Sequence, residues 1–227
     1  MSAFHNIVSR IRAGLSNDRA PEPRVTLPED AQISAIAGRD LRAQFIAALT
    51  GVGGKAIEAA DETSAVDKIA ELVQTAGLRS AALGEGITVD AEALAQRLSR
   101  DGCRIARVGN SAVNPGDALS AIDAGIVEAD YAIAPTGTLV LIGQPTRPRS
   151  LSLLPPTNVV LLRASRILPE LAAALRAVGP QTIAAHPMVM VTGPSRTADI
   201  EKRIVIGVHG PKELYVVIIG ERCCRPV

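Results

Sequence analysis

Tryptophan is absent from this 227-residue chain, and aromatic residues reach only 2%: Phe4, Phe45, Tyr131 and Tyr215. A core without large rings has to be built from Ala, Val, Leu and Ile. Single-stranded nucleic acid also loses the stacking platforms that would hold its bases. An excess of one charge is lacking too. With 24 basic and 23 acidic side chains spread along the sequence, the net charge is +1, so no strong field draws the protein to nucleic acid or to a membrane surface. No apolar run approaches the ~20 residues that span a bilayer. The opening MSAFHNIVSRIRAGL has no continuous apolar centre of the kind a secretory signal needs, and a cytoplasmic protein is expected.

Cysteine is sparse and odd in number. Cys103, Cys223 and Cys224 show none of the C-x-x-C spacings used by iron-sulfur clusters, zinc ribbons or dithiol redox sites. This points to a reducing compartment and to a chain with no metal cluster of its own. Adjacent cysteines rarely meet disulfide geometry without strain, so Cys223 and Cys224 read as parts of a frayed terminus. His5, His186 and His209 are far apart in sequence and give a zinc site little support.

The length suits one domain, since a chain of this size buries about 70% of its unfolded surface. Phe4, Ile7, Val8, Ile11 and Leu15 fall at helical spacing, which predicts an amphipathic helix over 2–16. Pro21, Pro23 and Pro28 mark a linker, so residues 1–28 form a helix with its linker and 29–227 an α/β domain. In that domain Leu41, Phe45 and Leu49 share a helical face, as do Val66, Ile69, Ala70 and Val73 behind a capping-box pattern at Ser64–Asp67. Asp90 is placed to cap a third helix that Asp101-Gly102 ends. A further helix, with Leu168, Leu171, Ala172 and Leu175 on its buried face and Pro169 in its first turn, stops at Gly179-Pro180.

Strands are expected at 80–83 and 104–108, then more densely at 131–134, 139–142, 159–162, 188–191, 203–206 and 214–219, all apolar and most bounded by Gly or Pro. Helices alternating with buried strands imply an open α/β sheet covered on both faces, with ligands at the strand ends.

Three segments concentrate chemistry. The first is Thr136-Gly137-Thr138 between two apolar strands. It reads either as a turn that needs glycine or as a place where backbone N–H groups and hydroxyls meet an anion. Arg147 and Arg149 follow around Pro148 and point to one side if the chain is extended there; paired guanidinium groups suit carboxylate or phosphate. Ser150-Leu151-Ser152 then alternates as a strand with one polar face would.

The second segment is Thr192 to Glu201, TGPSRTADIE, directly after a strand. Gly193, Ser195, Arg196 and Thr197 are suited to present N–H groups, hydroxyls and a guanidinium to one anion; alternatively Arg196 pairs with Asp199 or Glu201 and pins the loop. Neither Walker-A nor G-x-G-x-x-G spacing is present. The third is Gly207 to Pro211, where His209 between glycines is the candidate proton-transfer group. Ser195, Asp199 and His209 invite a triad, but no G-x-S-x-G elbow surrounds Ser195.

The series ADYAIAPTGTLVL, SLSLLPP, TGPSRTADIE and GVHGP, with the opening IVSRIRAGL, resembles the lactate utilisation protein C family, whose shared unit is the LUD domain. The resemblance implies a three-layer α/β fold similar to ribose-5-phosphate isomerase, glucosamine-6-phosphate deaminase and CoA transferases. It also implies a part in oxidising L-lactate to pyruvate beside two iron-sulfur partner proteins. Carried across, the family pattern falls on Thr136, Gly137, Thr138, Ser150, Ser152, Gly193, Ser195, Arg196, Thr197, Asp199, Glu201, His209 and Gly210. The family commonly has an acidic residue just before Thr-Gly-Thr; here Pro135 stands there, which removes that carboxylate as a catalyst.

The chain shows no flavin or nicotinamide fingerprint and no cluster-type cysteines. It is therefore expected to carry no cofactor and to act as an accessory subunit holding a small anion, with iron-sulfur clusters in its partners. The alternative is a stand-alone enzyme or regulatory module binding a sugar phosphate, a CoA-type ligand or a carboxylate.

Overall fold

The computed structural model describes residues 10, 40–108, 119, 121–144, 147–198, 204–206 and 210–220. From residue 40 onward these belong to one compact unit, Ser34–Val227. The expected amphipathic helix over 2–16, its linker and the Cys223-Cys224 pair lie outside the described residues. No helix among the described residues is long and apolar enough to cross a membrane.

Six strands form a wholly parallel sheet: β1 (Lys55–Ala59), β2 (Ser80–Leu83), β3 (Arg104–Arg107), β4 (Ala124–Glu128), β7 (Thr157–Arg163) and β12 (Glu213–Ile219). Their spatial order is β1-β12-β7-β4-β2-β3. The central strands read as apolar runs because both of their faces are covered. Side-chain alternation sends Ile126, Val159, Leu161, Val217 and Ile219 to one face and Val127, Val160, Leu162, Val216 and Ile218 to the other.

The first face is covered by α2 (Glu62–Thr75) and α3 (Ala91–Arg100) through Ile69, Val73, Leu94 and Leu98. Asp90 caps α3 as expected, accepting from the N–H groups of Glu92 and Ala93. The capping box of α2 is three residues earlier than the sequence pattern suggested. Asp61 Oδ1 accepts from Ser64 N at 2.8 Å while Ser64 Oγ accepts from Asp61 N at 3.0 Å, because the helix begins one turn before its apolar stripe.

The second face is covered differently from the sequence expectation. α1 (Leu41–Gly51) packs there through Phe45 and Leu49, and the short helical turn at Ser150–Leu153 adds Leu151. The rest of the cover is a second, four-stranded sheet in the order β8-β5-β6-β9, made of β5 (Tyr131–Ile133), β6 (Thr138–Ile142), β8 (Ile167–Leu168) and β9 (Met188–Val191). β5 and β6 are an antiparallel hairpin and β6 pairs antiparallel with β9, so these strands cannot join a parallel sheet. The outer face of this second sheet carries α5 (Leu171–Val178), which α6 (Pro180–Ala185) follows. Ala174 and Val178 are the buried residues of α5, whereas Leu171 is exposed and Leu168 belongs to β8. The expected Leu stripe was therefore displaced: Pro169 ends a strand instead of opening the helix.

At the amino end of the parallel sheet, Asp123 is a local staple. Its Oδ2 accepts from Arg79 N, Ser80 N and Ser80 Oγ at 2.9–3.0 Å. Desolvation alone would raise its pKa, but those hydrogen bonds and the charge of Arg104 outweigh it and hold the carboxyl below its ordinary value. A carboxyl whose folded pKa is depressed adds stability that is full above its unfolded pKa of about 3.9 and is lost as pH falls through the folded value. Denaturant titrations on an acid series should therefore show stability falling below about pH 4, and Asp123→Asn should flatten that part of the profile. An unchanged acid limb in Asp123→Asn would show that Asp123 is not the staple. Burial, with the charge of Asp123 adding to it, also pushes the neighbouring Cys103 thiol up, which keeps it protonated and unreactive.

Candidate functional site

The end of α1 is where two of the chemistry-bearing segments meet. Past Gly51 the chain turns through Val52-Gly53-Gly54 into β1. The β5–β6 hairpin closes against this helix end through a 3-10 turn, Ala134–Thr136, and Gly137 at φ 63°. A Cβ on Gly137 would lie 2.4 Å from Leu49 N and 2.7 Å from Leu49 Cα. The loop after β9 closes on the same end through Gly193 at φ 80°, where a Cβ would lie 2.6 Å from Val52 O. Both glycines thus serve a left-handed backbone and a close approach together.

Arg196 donates Nη2 to Val52 O at 2.7 Å, so it pins its loop to α1. A line of hydroxyls joins the two motifs: Thr136 Oγ1 to Thr138 Oγ1 at 2.7 Å, and Thr138 Oγ1 to Thr192 Oγ1 at 2.8 Å.

Beside this junction, at the amino ends of β7 and β12, lies a pocket of about 240 Å³ whose lining includes Ser152, Asn158, Thr192, Gly193, Ser195 and Gly210. Apolar groups such as Val189 and Leu214 complete its walls. Ser195 N donates to Pro211 O at 2.9 Å, and a Cβ on Gly210 would sit 2.9 Å from Ser195 Cβ. Gly210 is therefore the residue that lets the serine loop and the segment before β12 touch. The structure brings together Ser152, Gly193, Ser195 and Gly210 in one wall system, with Thr136, Gly137, Thr138 and Arg196 next to it through Thr192 and α1.

Arg147 and Arg149 do not act as a pair. The chain is not extended there. Gln144 and Arg147 form a two-residue bridge, and from Arg149, at φ −54° and ψ −33°, the backbone enters the short helix α4 (Ser150–Leu153). The alternation of Ser150, Leu151 and Ser152 is one helical turn and not a strand. It is fixed by Ser152 N and Oγ both donating to Arg149 O and by Gly125, where a Cβ would lie 2.1 Å from Leu151 O. Ser150, at the start of this turn, does not line the pocket.

Arg147 instead turns inward, with Nη2 2.8 Å from Asp130 Oδ1 and 3.3 Å from Ile142 O. Asp130 Oδ2 accepts from Ile142 N at 2.7 Å. This guanidinium is consumed in tying β4 to β6.

Arg147 lines a different cleft, of about 520 Å³, at the carboxyl ends of β2, β4 and β7. Glu128 at its edge is held by Thr88, which donates from both N and Oγ1. Arg166 lies over the Tyr131 ring at 5.2 Å and donates to its hydroxyl. The residues singled out from the sequence thus divide between two opposite ends of the parallel sheet, and the motif-bearing pocket occupies the amino end.

Asp199, Glu201 and His209 lie outside the described residues. Of Thr197, only the backbone is described, in the two-stranded pairing of β10 (Arg196–Ala198) with β11 (Ile204–Ile206). Asn158 was missed in the sequence. The signal for it is a single amide inside TNVVLLR, a strand otherwise buried and apolar over Val159–Leu162.

A model of the LUD domain matches residues 42–219. An uncharacterized protein of Neisseria meningitidis is 38% identical over 102 residues, which cover 43% of this chain and 42% of that protein. The uncharacterized protein YkgG of Escherichia coli is 41% identical over 99 residues, covering 41% and 43%. Lactate utilization protein C of Anoxybacillus flavithermus is 33% identical over 106 residues, covering 47% and 48%. In each case the match spans less than half the length of the relative. Among solved structures, a DUF162 family protein from Deinococcus radiodurans superposes with a TM-score of 0.60 at 21% identity, over 79% of this chain and 96% of that one. This likeness supports the fold alone.

Proposed function

Since the chain belongs to the LUD domain family, matched over residues 42–219, we propose that it serves in oxidising L-lactate to pyruvate, as an accessory subunit that binds a small carboxylate while iron-sulfur partner proteins carry the electrons. The observation that supports this most is the convergence of Ser152, Gly193, Ser195 and Gly210 on one small pocket. Those residues come from three segments distant in sequence, and their glycines are required by close approach. Arg149 and Arg196 are exposed and, among the described residues, have no carboxylate partner. Arg149 accepts through its backbone oxygen from Ser152 of the lining, Arg196 follows Ser195, and the exposed Lys212 follows Pro211, so three cations are carried next to the pocket wall, and charge-assisted hydrogen bonds to a carboxylate are the strong ones.

Two experiments test the reading. Deleting the gene in a host with no duplicate should impair growth on L-lactate and leave growth on glucose intact; normal growth on L-lactate would end the assignment. A tagged chain should copurify with iron-sulfur proteins, and turnover by the purified chain alone would favour a stand-alone enzyme.

For the pocket itself, Arg149→Ala and Arg196→Ala should each weaken L-lactate binding by about tenfold or more, because a charged hydrogen bond contributes about 1.5 to 3 kcal/mol. Calorimetry in which neither substitution changes the affinity would remove these two arginines from the site.

A further inference from the structure

One edge of the second sheet has no neighbouring strand among the described residues. In the order β8-β5-β6-β9 that edge is β9, and antiparallel pairing fixes which way each of its peptide groups points. Gly143 N donates to Pro187 O at 2.7 Å. Gly143 and Pro187 are thus a hydrogen-bonded pair, and Leu141 with Val189 and Leu139 with Val191 follow at the same parity. The N–H and C=O groups of Met188 and Met190 therefore point away from β6. Ile142, opposite Met188, agrees, since its N–H is turned to Asp130 Oδ2 and not to β9.

The candidate pocket runs along this edge. Each residue from Val189 to Ser195 lines it, although the side chains of a strand alternate between faces. Val191 packs toward the core between the sheets and Met188 toward the outer face. An unbroken lining then belongs to a groove beside the backbone. Leu153 and Leu214 stand across it, and Leu153 and Met190 are 38% and 42% exposed. An open edge of this kind is a template for another strand unless charge or proline blunts it, and Met188–Val191 contains neither.

The charges around the groove say what fits it. No acidic side chain lines it among the described residues. Arg149 lies at its Pro187 end, because a Cβ on Gly143 would be 3.0 Å from both Arg149 Cγ and Pro187 Cγ. Arg196 and Lys212 lie at the other end, next to Ser195 and Pro211, which are hydrogen-bonded to each other. Pairing of β9 with β9 of a second copy would set the Arg149 end of one against the Arg196 end of the other, cation to cation. A segment with acidic ends meets a cation at each. Resting on the accessory role proposed above, we infer that β9 is a docking edge, to which an extended segment of a partner protein, apolar in its middle and acidic at both ends, adds as a further strand.

NMR of the isotope-labelled full chain tests this with a capped peptide of about seven residues, glutamate at each end and valine alternating with threonine between. The peptide should slow exchange of the Met188 and Met190 amides by about fivefold or more, while Val189 and Val191, already bonded to β6, change less. Lysine in place of both glutamates should weaken binding by about tenfold or more. Met190→Pro removes an outward N–H of the kind an edge strand can lose; it should weaken the peptide by about fivefold or more with a melting temperature close to that of the parent. Met190→Ala keeps the N–H and should bind within about threefold of the parent.

Unchanged Met188 and Met190 amides would overturn the inference, and L-lactate binding in the same chain would leave the carboxylate reading standing. Protection by the peptide without any L-lactate binding would support the docking edge and remove the small-carboxylate reading. Equal losses in Met190→Ala and Met190→Pro would overturn strand addition in favour of side-chain contact. A dimer of the chain alone that Met190→Pro abolishes would make a second copy the occupant and overturn the partner segment. If Met190→Pro does not fold, the alternation of protected amides in the parent still decides.

Discussion

Gly137→Ala is expected to lower the melting temperature by on the order of 10 °C, although it adds one methyl group at the edge of a hairpin. Two costs coincide. At φ 63° an L side chain meets its own backbone, which costs roughly 1–2 kcal/mol. The new Cβ would also lie 2.4 Å from Leu49 N and 2.8 Å from Ala48 C, both backbone atoms of a packed helix with no rotamer to change. Overpacking of this kind costs about 1–3 kcal/mol. A total of about 3 kcal/mol converts to roughly 6–12 °C in a domain of this size. Differential scanning calorimetry reads it directly. A parent-like melting temperature would mean that the hairpin does not rest on α1, and the junction between the two motifs would fall with it.

Phe45→Ala should cost about 3–5 kcal/mol in urea denaturation, the range for emptying the site of a buried phenylalanine. Phe45 is 0% exposed, and it is the single phenylalanine among the described residues. Its neighbours are aliphatic side chains such as Leu49, Leu139, Val160 and Leu162. A core of small and medium side chains has no second large ring with which to fill such a void. The loss should therefore lie toward the upper end, since the cost grows with the cavity that fails to collapse. A loss under about 1 kcal/mol, the effect of a surface change, would contradict the placement of α1 over the sheet.

The parts of the fold that were legible in the sequence are those governed by local rules. Asp90, the Asp101-Gly102 stop and the faces of Leu41, Phe45 and Leu49 needed only capping and helical spacing. β12, β7 and β9 are apolar enough to be read as strands, and a glycine-requiring turn is one of the two readings that the sequence allows for Gly137. What was not legible depends on partners distant in the chain. β4, a central strand, contains Gly125 for the sake of the Leu151 carbonyl that sits on it, and nothing within AGIVE announces that neighbour. β1 carries Lys55 and Glu58 at a sheet edge, which breaks the apolar pattern.

The candidate site shows the same division. Ser195, Gly193, Ser152 and Gly210, which loop chemistry marks in the sequence, line one pocket. Arg147 was misjudged because Asp130, which neutralises it, becomes its neighbour only through the pairing of β5 with β6. Asn158, one amide in an apolar strand, stands out only once its Oδ1 is seen to lack a donor among the described residues.

The last turn of α1 holds the Thr136–Thr138 turn through Leu49 and the Gly193–Arg196 loop through Val52. Fraying of that single turn would release both loops in one event, so their amide protons should exchange with solvent at a common opening free energy instead of independently. A ligand seated between the loops would oppose the same opening. Its affinity would then be readable as added protection at Val52, a residue that belongs to neither loop and lies outside the pocket lining.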